Sequence, residues 1–178
     1  MKKVIMLATL VIAGTLFTGC GSKSPQVSSE PVSEKLRLEK VTLKLTQKYG
    51  TKLQYQSSEE LEKRINGKIA ALLNEKGILS NDASSDALNI NVNYNRRFVG
   101  QDSFFKTESL MPPLIAFDIH ILKNGKEIRT FKAENLVYNG GFFSNLGTIA
   151  GANRTNEYEN NAVDTLAHNI VKEVEKLK

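Results

Sequence analysis

The chain is poor in the residues that most often carry chemistry. Cys20 is its one cysteine among 178 residues, so no disulfide can form within it. There are two histidines, His120 and His168, and no further thiol. Metal or hydrolytic catalysis needs clustered ligands or a nucleophile beside an oriented base, and the spacing offers neither. His168 stands four residues after Asp164, a separation that ordinarily gives surface support within a helix. His120 shares a strand face with Asp118, away from that helix. No enzyme activity, metal or cofactor is expected. The segment 139–151 is rich in glycine but lacks the Lys-Ser/Thr ending of a phosphate-binding loop, so a nucleotide site is not expected either.

Charge of one sign is also scarce. Lysine and arginine number 24 against 19 acids, and they mostly alternate, as in Glu34-Lys35, Glu39-Lys40 and Glu62-Lys63-Arg64. A nucleic-acid reader clusters its cations on one face, so no nucleic-acid partner is expected. The longest apolar run, residues 4–13, falls short of the roughly 20 residues that a membrane-spanning helix needs.

The N-terminus is where a signal does stand. Lys2 and Lys3 precede the apolar run, and Thr18-Gly19 precede Cys20, the layout of an export signal over residues 1–19. Leu16-Phe17-Thr18-Gly19-Cys20 resembles the bacterial lipobox recognised by signal peptidase II, with Phe17 where that family usually has leucine. The resemblance implies cleavage before Cys20, a thioether-linked diacylglycerol on its sulfur and an amide-linked acyl chain such as palmitate on its nitrogen. Each buried CH2 of such chains contributes about 0.8 kcal/mol, so the anchor is effectively permanent. Gly21 stands where an aspartate usually retains lipoproteins at the inner membrane. The implied location is therefore the periplasmic face of the outer membrane, or the outer face of the single membrane in a Gram-positive host.

Loss of Lys2 and Lys3 would leave 22 cations against 19 acids, and residues 20–178 suffice for one domain with one core. Residues 20–37 read as lipidated N-terminus and tether. Within them GSKSPQVSSEPVSEK, residues 21–35, lacks apolar periodicity and cannot offset its ordering entropy. A flexible chain of that length holds a domain on the order of 20 Å from its anchor.

Residues 38–178 read as one α+β domain of order β-α-β-β-β-α, a mostly antiparallel sheet with two helices packed on one face. Val41, Leu43 and Leu45 alternate with polar residues in a strand over 38–48. Ser57 and Glu60 match a capping box opening a helix over 58–76, with Gly77 as its stop. Leu88 to Asn95 alternates without a fault. Pro112-Pro113 predicts that the next strand starts only at Leu114, ending at Leu122. Asn124-Gly125 predicts a type I′ hairpin into a strand over 126–138, where Ile128 and Phe131 share a face only if a bulge falls near Thr130. Thr155 would cap a helix over 156–177, whose stripe is Tyr158, Ala162, Leu166, Ile170, Val174 and Leu177. This element order, with the Gly-rich link before the last helix, is similar to small envelope lipoproteins whose mature part looks like the TolB N-terminal type of α/β module.

Three candidate surfaces stand out. Asn89, Asn91 and Asn93 face one side of their strand, and either solvate it or, with Arg96 and Arg97, grip a glycan or peptide. Arg96, Arg97 and Lys106 beside Phe98, Phe104 and Phe105 suit an anionic headgroup or glycan, or form ordinary stacked pairs. Phe142, Phe143, Leu146 and Ile149 are too apolar for a solvent loop, and either fold back over the domain or dock a partner. The expected function is a noncatalytic adaptor or assembly factor of the envelope with a protein partner. The alternative is a glycan- or peptide-binding module.

Overall fold

The computed structural model describes residues 30–48, 50–138 and 153–178. The expected element order is present: β1 Arg37–Gln47, α1 Ser58–Glu75, β2 Ala87–Phe98, β3 Leu110–Lys123, β4 Lys126–Val137 and α2 Asn156–Leu177. The strands lie side by side in chain order, β1 parallel to β2 and the other two pairs antiparallel.

Local chemistry accounts for the boundaries. The Ser57 hydroxyl accepts from Glu60 N at 3.1 Å while the Glu60 carboxylate accepts from Ser57 N at 2.7 Å, closing the capping box of α1. Past its C-terminus, Gly77 takes φ +67°, the left-handed stop. At the β3–β4 hairpin Asn124 and Gly125 have φ 51° and 78°, as a type I′ turn requires. Thr155 does precede α2, but its side chain makes no capping hydrogen bond.

One detail departs from expectation, and a second meets it. β3 does not wait for Leu114; it runs through Pro112-Pro113 from Leu110. Asn95 pairs with Leu114 and Arg97 with Met111, so both prolines lie opposite Arg96 alone. A bulge is where a strand tolerates residues without N–H groups. In β4 a bulge does fall near Thr130, with Ile128 as its extra residue, because Ile121 pairs with Arg129 and Leu122 with Glu127; a second irregularity lies between Ala133 and Leu136. Ile128 is thereby buried, and Phe131, opposite Ile119, packs its ring 5.9 Å from that of Phe117. β2 itself continues through Arg96 to Phe98.

Both helices lie on the same side of the sheet. The core joins Leu61, Ile65, Ile69 and Leu73 of α1 to Val163, Ile170 and Val174 of α2 over the inward residues of all four strands. Arg64 holds both carboxylate oxygens of Asp164 at 3.0 Å, tying the helices together at their rim. The edge of β1 is partly closed by α1, since Glu62 accepts from Leu43 N at 2.7 Å and the Ser58 hydroxyl donates to Leu43 O. Among the described residues, no helix lies on the other face of the sheet.

Candidate functional site

The uncovered face is built by alternation. Residues 88, 90, 92 and 94 of β2 point into the core, which turns Asn89, Asn91, Asn93 and Asn95 outward between Lys40, Thr42, Lys44 and Thr46 of β1 and His120, Asp118, Ala116 and Leu114 of β3. Asn91 Oδ1 accepts from the Thr42 hydroxyl at 2.8 Å. Asp118 faces Lys132 of β4 at 3.8 Å, and His120 meets Glu127. Asn89 Oδ1 is buried and has no hydrogen-bond partner. Asn93 and Asn95 join Thr46, Leu114 and Asn135 around a shallow recess of about 240 Å3.

The arginines do not join this face as ligand contacts. The alternation that begins at Leu88 carries Arg96 inward, where it is 4% exposed. Its Nε and one NH2 donate to the two oxygens of Glu159 at 2.7 and 2.8 Å. The same NH2 donates to Gln56 O at 2.6 Å, and NH1 to Gln47 Oε1 at 3.0 Å. The guanidinium lies 5.4 Å from the centre of the Tyr55 ring. One cation thus ties β2 to β1, to the chain before α1 and to the first turn of α2. Burial pushes the Glu159 carboxyl above its usual range, opposed by Arg96 and by hydrogen bonds from Tyr94 and from Gln56 N. Burial also raises the Tyr94 hydroxyl well above its ordinary value, with the Glu159 charge adding to it. Arg97 stays on the asparagine side but donates through Nε and NH2 to Pro112 O, at 2.9 and 2.6 Å.

Phe98 continues the inward series and is buried with Leu110 and Tyr158 in a small second core, its ring 5.7 Å from that of Tyr55. Phe104 and Phe105 have the opposite fate: they are 101% and 88% exposed. The loop between β2 and β3 holds them there by its own bonds. Ser103 donates through N and Oγ to Gly100 O, and Phe105 N donates to Ser103 Oγ. Thr107 donates twice to Val99 O, and Lys48 pairs with Asp102. Gly100 has φ +72°, and a Cβ there would sit 2.2 Å from Phe105 O. Leaving two phenylalanines in water forgoes about 1.5–3 kcal/mol each relative to burial.

The described chain starts at the other end of the sheet. Glu30 O accepts from Arg129 at 2.8 Å, Pro31 O accepts from Lys123 at 3.0 Å, and Lys126 lies 3.6 Å from the Glu30 carboxylate. The described chain thus begins, at Glu30, beside the Asn124-Gly125 hairpin, one sheet length from Phe104.

The two histidines are not brought together. His168 Nδ1 lies 2.8 Å from Asp164 O, while the Asp164 carboxylate serves Arg64 and Lys68. His120 is on the uncovered side of the sheet. Among the described residues no group of three His, Cys, Asp or Glu side chains is placed to hold a metal ion. No described helix is long and apolar enough to cross a membrane. Cys20, Phe142, Phe143, Leu146 and Ile149 lie outside the described residues.

Sequence reasoning missed the Arg96–Glu159 pair; for Phe104 and Phe105 it left a headgroup or glycan contact and stacking on the arginines open, and the structure shows both rings displayed in solvent. Parity from Leu88 contained the inward turn of Arg96, and the position of Glu159 four residues before Val163 on the buried side of α2 contained its partner.

No family model and no curated protein matches the chain. Among solved structures, a minor lipoprotein from Acinetobacter baumannii is similar at TM-score 0.37 and 17% identity, over 76% of this chain and 91% of that one. At that score the likeness assigns neither fold nor function here.

Proposed function

We propose that the protein is a noncatalytic envelope lipoprotein, held on a bilayer by acyl chains at Cys20 and acting as an adaptor for a protein partner. The lipobox-like stretch Leu16 to Cys20 supports the anchor, and Gly21 favours the periplasmic face of the outer membrane. The observation that carries the adaptor reading is the uncovered sheet face. Both described helices pack on one side, and among the described residues nothing covers rows such as Thr42-Asn91-Asp118-Lys132 across the four strands. Sheet faces in compact domains are usually buried on at least one side and solvated or partnered on the other, and this one carries charged and amide groups at regular spacing. Phe142, Phe143, Leu146 and Ile149 supply a second contact in this reading.

A photocrosslinking residue placed at Asn91 or Lys132, in cells, tests it. A discrete protein adduct is expected, and absence of any adduct from either position contradicts it. A second reading, a glycan or peptide binder, is favoured by the buried, unpartnered Asn89 Oδ1, since such an atom costs free energy until something donates to it. Retention on purified peptidoglycan that disappears when Asn89, Asn91 and Asn93 become serine would select that reading instead.

A further inference from the structure

We propose that the loop carrying Phe104 and Phe105 is a membrane-contacting finger, which presses both rings into the headgroup boundary of the bilayer to which Cys20 is anchored. The inference rests on the anchored-lipoprotein reading above and adds an orientation for the domain.

Three observations carry it. The first is the display itself, with both rings in solvent on a loop fastened by internal hydrogen bonds and by the left-handed Gly100. The second is charge. The segments meeting at this end bring Lys48, Lys52, Lys106 and Arg154 against Asp102 and Glu108. Aromatic rings beside an excess of cations suit an anionic headgroup layer, where the ring sits at the acyl boundary and the ammonium stays wet.

The third is reach. Residues 20–29 span at most about 35 Å when extended. The twelve residues of β2 cover roughly the same distance, about 35–40 Å. The finger and Glu30 lie at opposite ends of that length, so the tether lets the sheet axis lie along the bilayer with the finger touching it. A protein partner fits the finger less well. A stable protein interface buries about 800 Å2 per side, whereas two phenylalanines at the tip of a loop offer about 150–250 Å2 each. A bilayer deforms around such a tip, and the anchor supplies the effective concentration that a weak contact needs.

The chain contains no tryptophan, so Phe105→Trp in the full-length acylated protein introduces a sole reporter. The protein is reconstituted on phosphatidylcholine–phosphatidylglycerol vesicles with or without dibrominated acyl chains. The expected result is a blue-shifted emission on plain vesicles and loss of most of it on brominated ones, while Lys63→Trp, on the exposed side of α1, stays unquenched. If the protein floats with the vesicles but the indole at position 105 keeps its aqueous emission and escapes the bromines, the finger proposal is overturned and the anchor stands. An indole that is aqueous on vesicles but shielded when envelope proteins are added overturns it in favour of a protein groove. Failure to float at all removes the anchor and the finger contact together.

Discussion

Arg96 and Glu159, 63 residues apart in the chain, meet in a two-pronged ion pair from which water is excluded. The pair fastens the end of β2 to the first turn of α2. It also supports the floor of the loop that displays Phe104, because Phe98, two residues after Arg96, and Tyr158, next to Glu159, pack in one small core. Losing one partner of a buried pair strands the other charge, at about 3–5 kcal/mol. Arg96→Met is therefore expected to lower the urea unfolding midpoint by that equivalent. A midpoint within error of the wild type would show that the pair is solvated in solution.

The same pair gives a pH dependence with a definite sign. Burial raises the Glu159 carboxyl above its ordinary 4.5. Between that value and the raised one the folded state binds more protons than the unfolded state, so stability from this group is full at low pH and declines as pH rises through the window. Wild type minus Glu159→Gln, compared by urea unfolding at about pH 4 and about pH 7, should fall across the interval. A difference that grows with pH would mean the Arg96 contact outweighs desolvation.

Gly67 lies mid-helix on the exposed side of α1, and a Cβ built there meets nothing within 4 Å. Gly67→Ala should stabilise the domain by about 1 kcal/mol through helix propensity and a less free unfolded chain. Thermal unfolding checks it, and an unchanged or lower midpoint argues that α1 is frayed at that turn.

Gly100 is the converse case. Alanine there meets both a left-handed φ and the Phe105 carbonyl at 2.2 Å, so Gly100→Ala should cost more than about 1 kcal/mol. The cost should be local, with faster amide exchange at residues 101–107 and unchanged protection in β2 and β3. Slow exchange in the variant loop would indicate that another conformation presents the rings equally well.

Much of the architecture was legible because it is locally encoded. The Ser57–Glu60 box, the Asn124-Gly125 turn and the apolar stripe of α2 each satisfy their own backbone or their own face, and all stand where the sequence predicts them. Arg96 was misread because its charge argued for solvent while its parity argued for the core. Parity prevailed, since Glu159 neutralises the guanidinium inside, and a partner so distant in the chain leaves no local trace. Pro112-Pro113 was misread as a break because the bulge that accommodates it depends on the register with β2. The exposure of Phe104 and Phe105 runs against hydrophobic burial, and departures of that kind concentrate at functional or strained sites.

The central claim is that a lipid on Cys20 makes this domain a resident of the bilayer surface. Mass spectrometry of the N-terminal peptide from the native membrane fraction tests it most directly. The predicted peptide begins at Cys20 and carries the mass of a diacylglycerol and an N-linked acyl chain. A peptide that retains residues 1–19, or one with an unmodified Cys20 thiol, would contradict it.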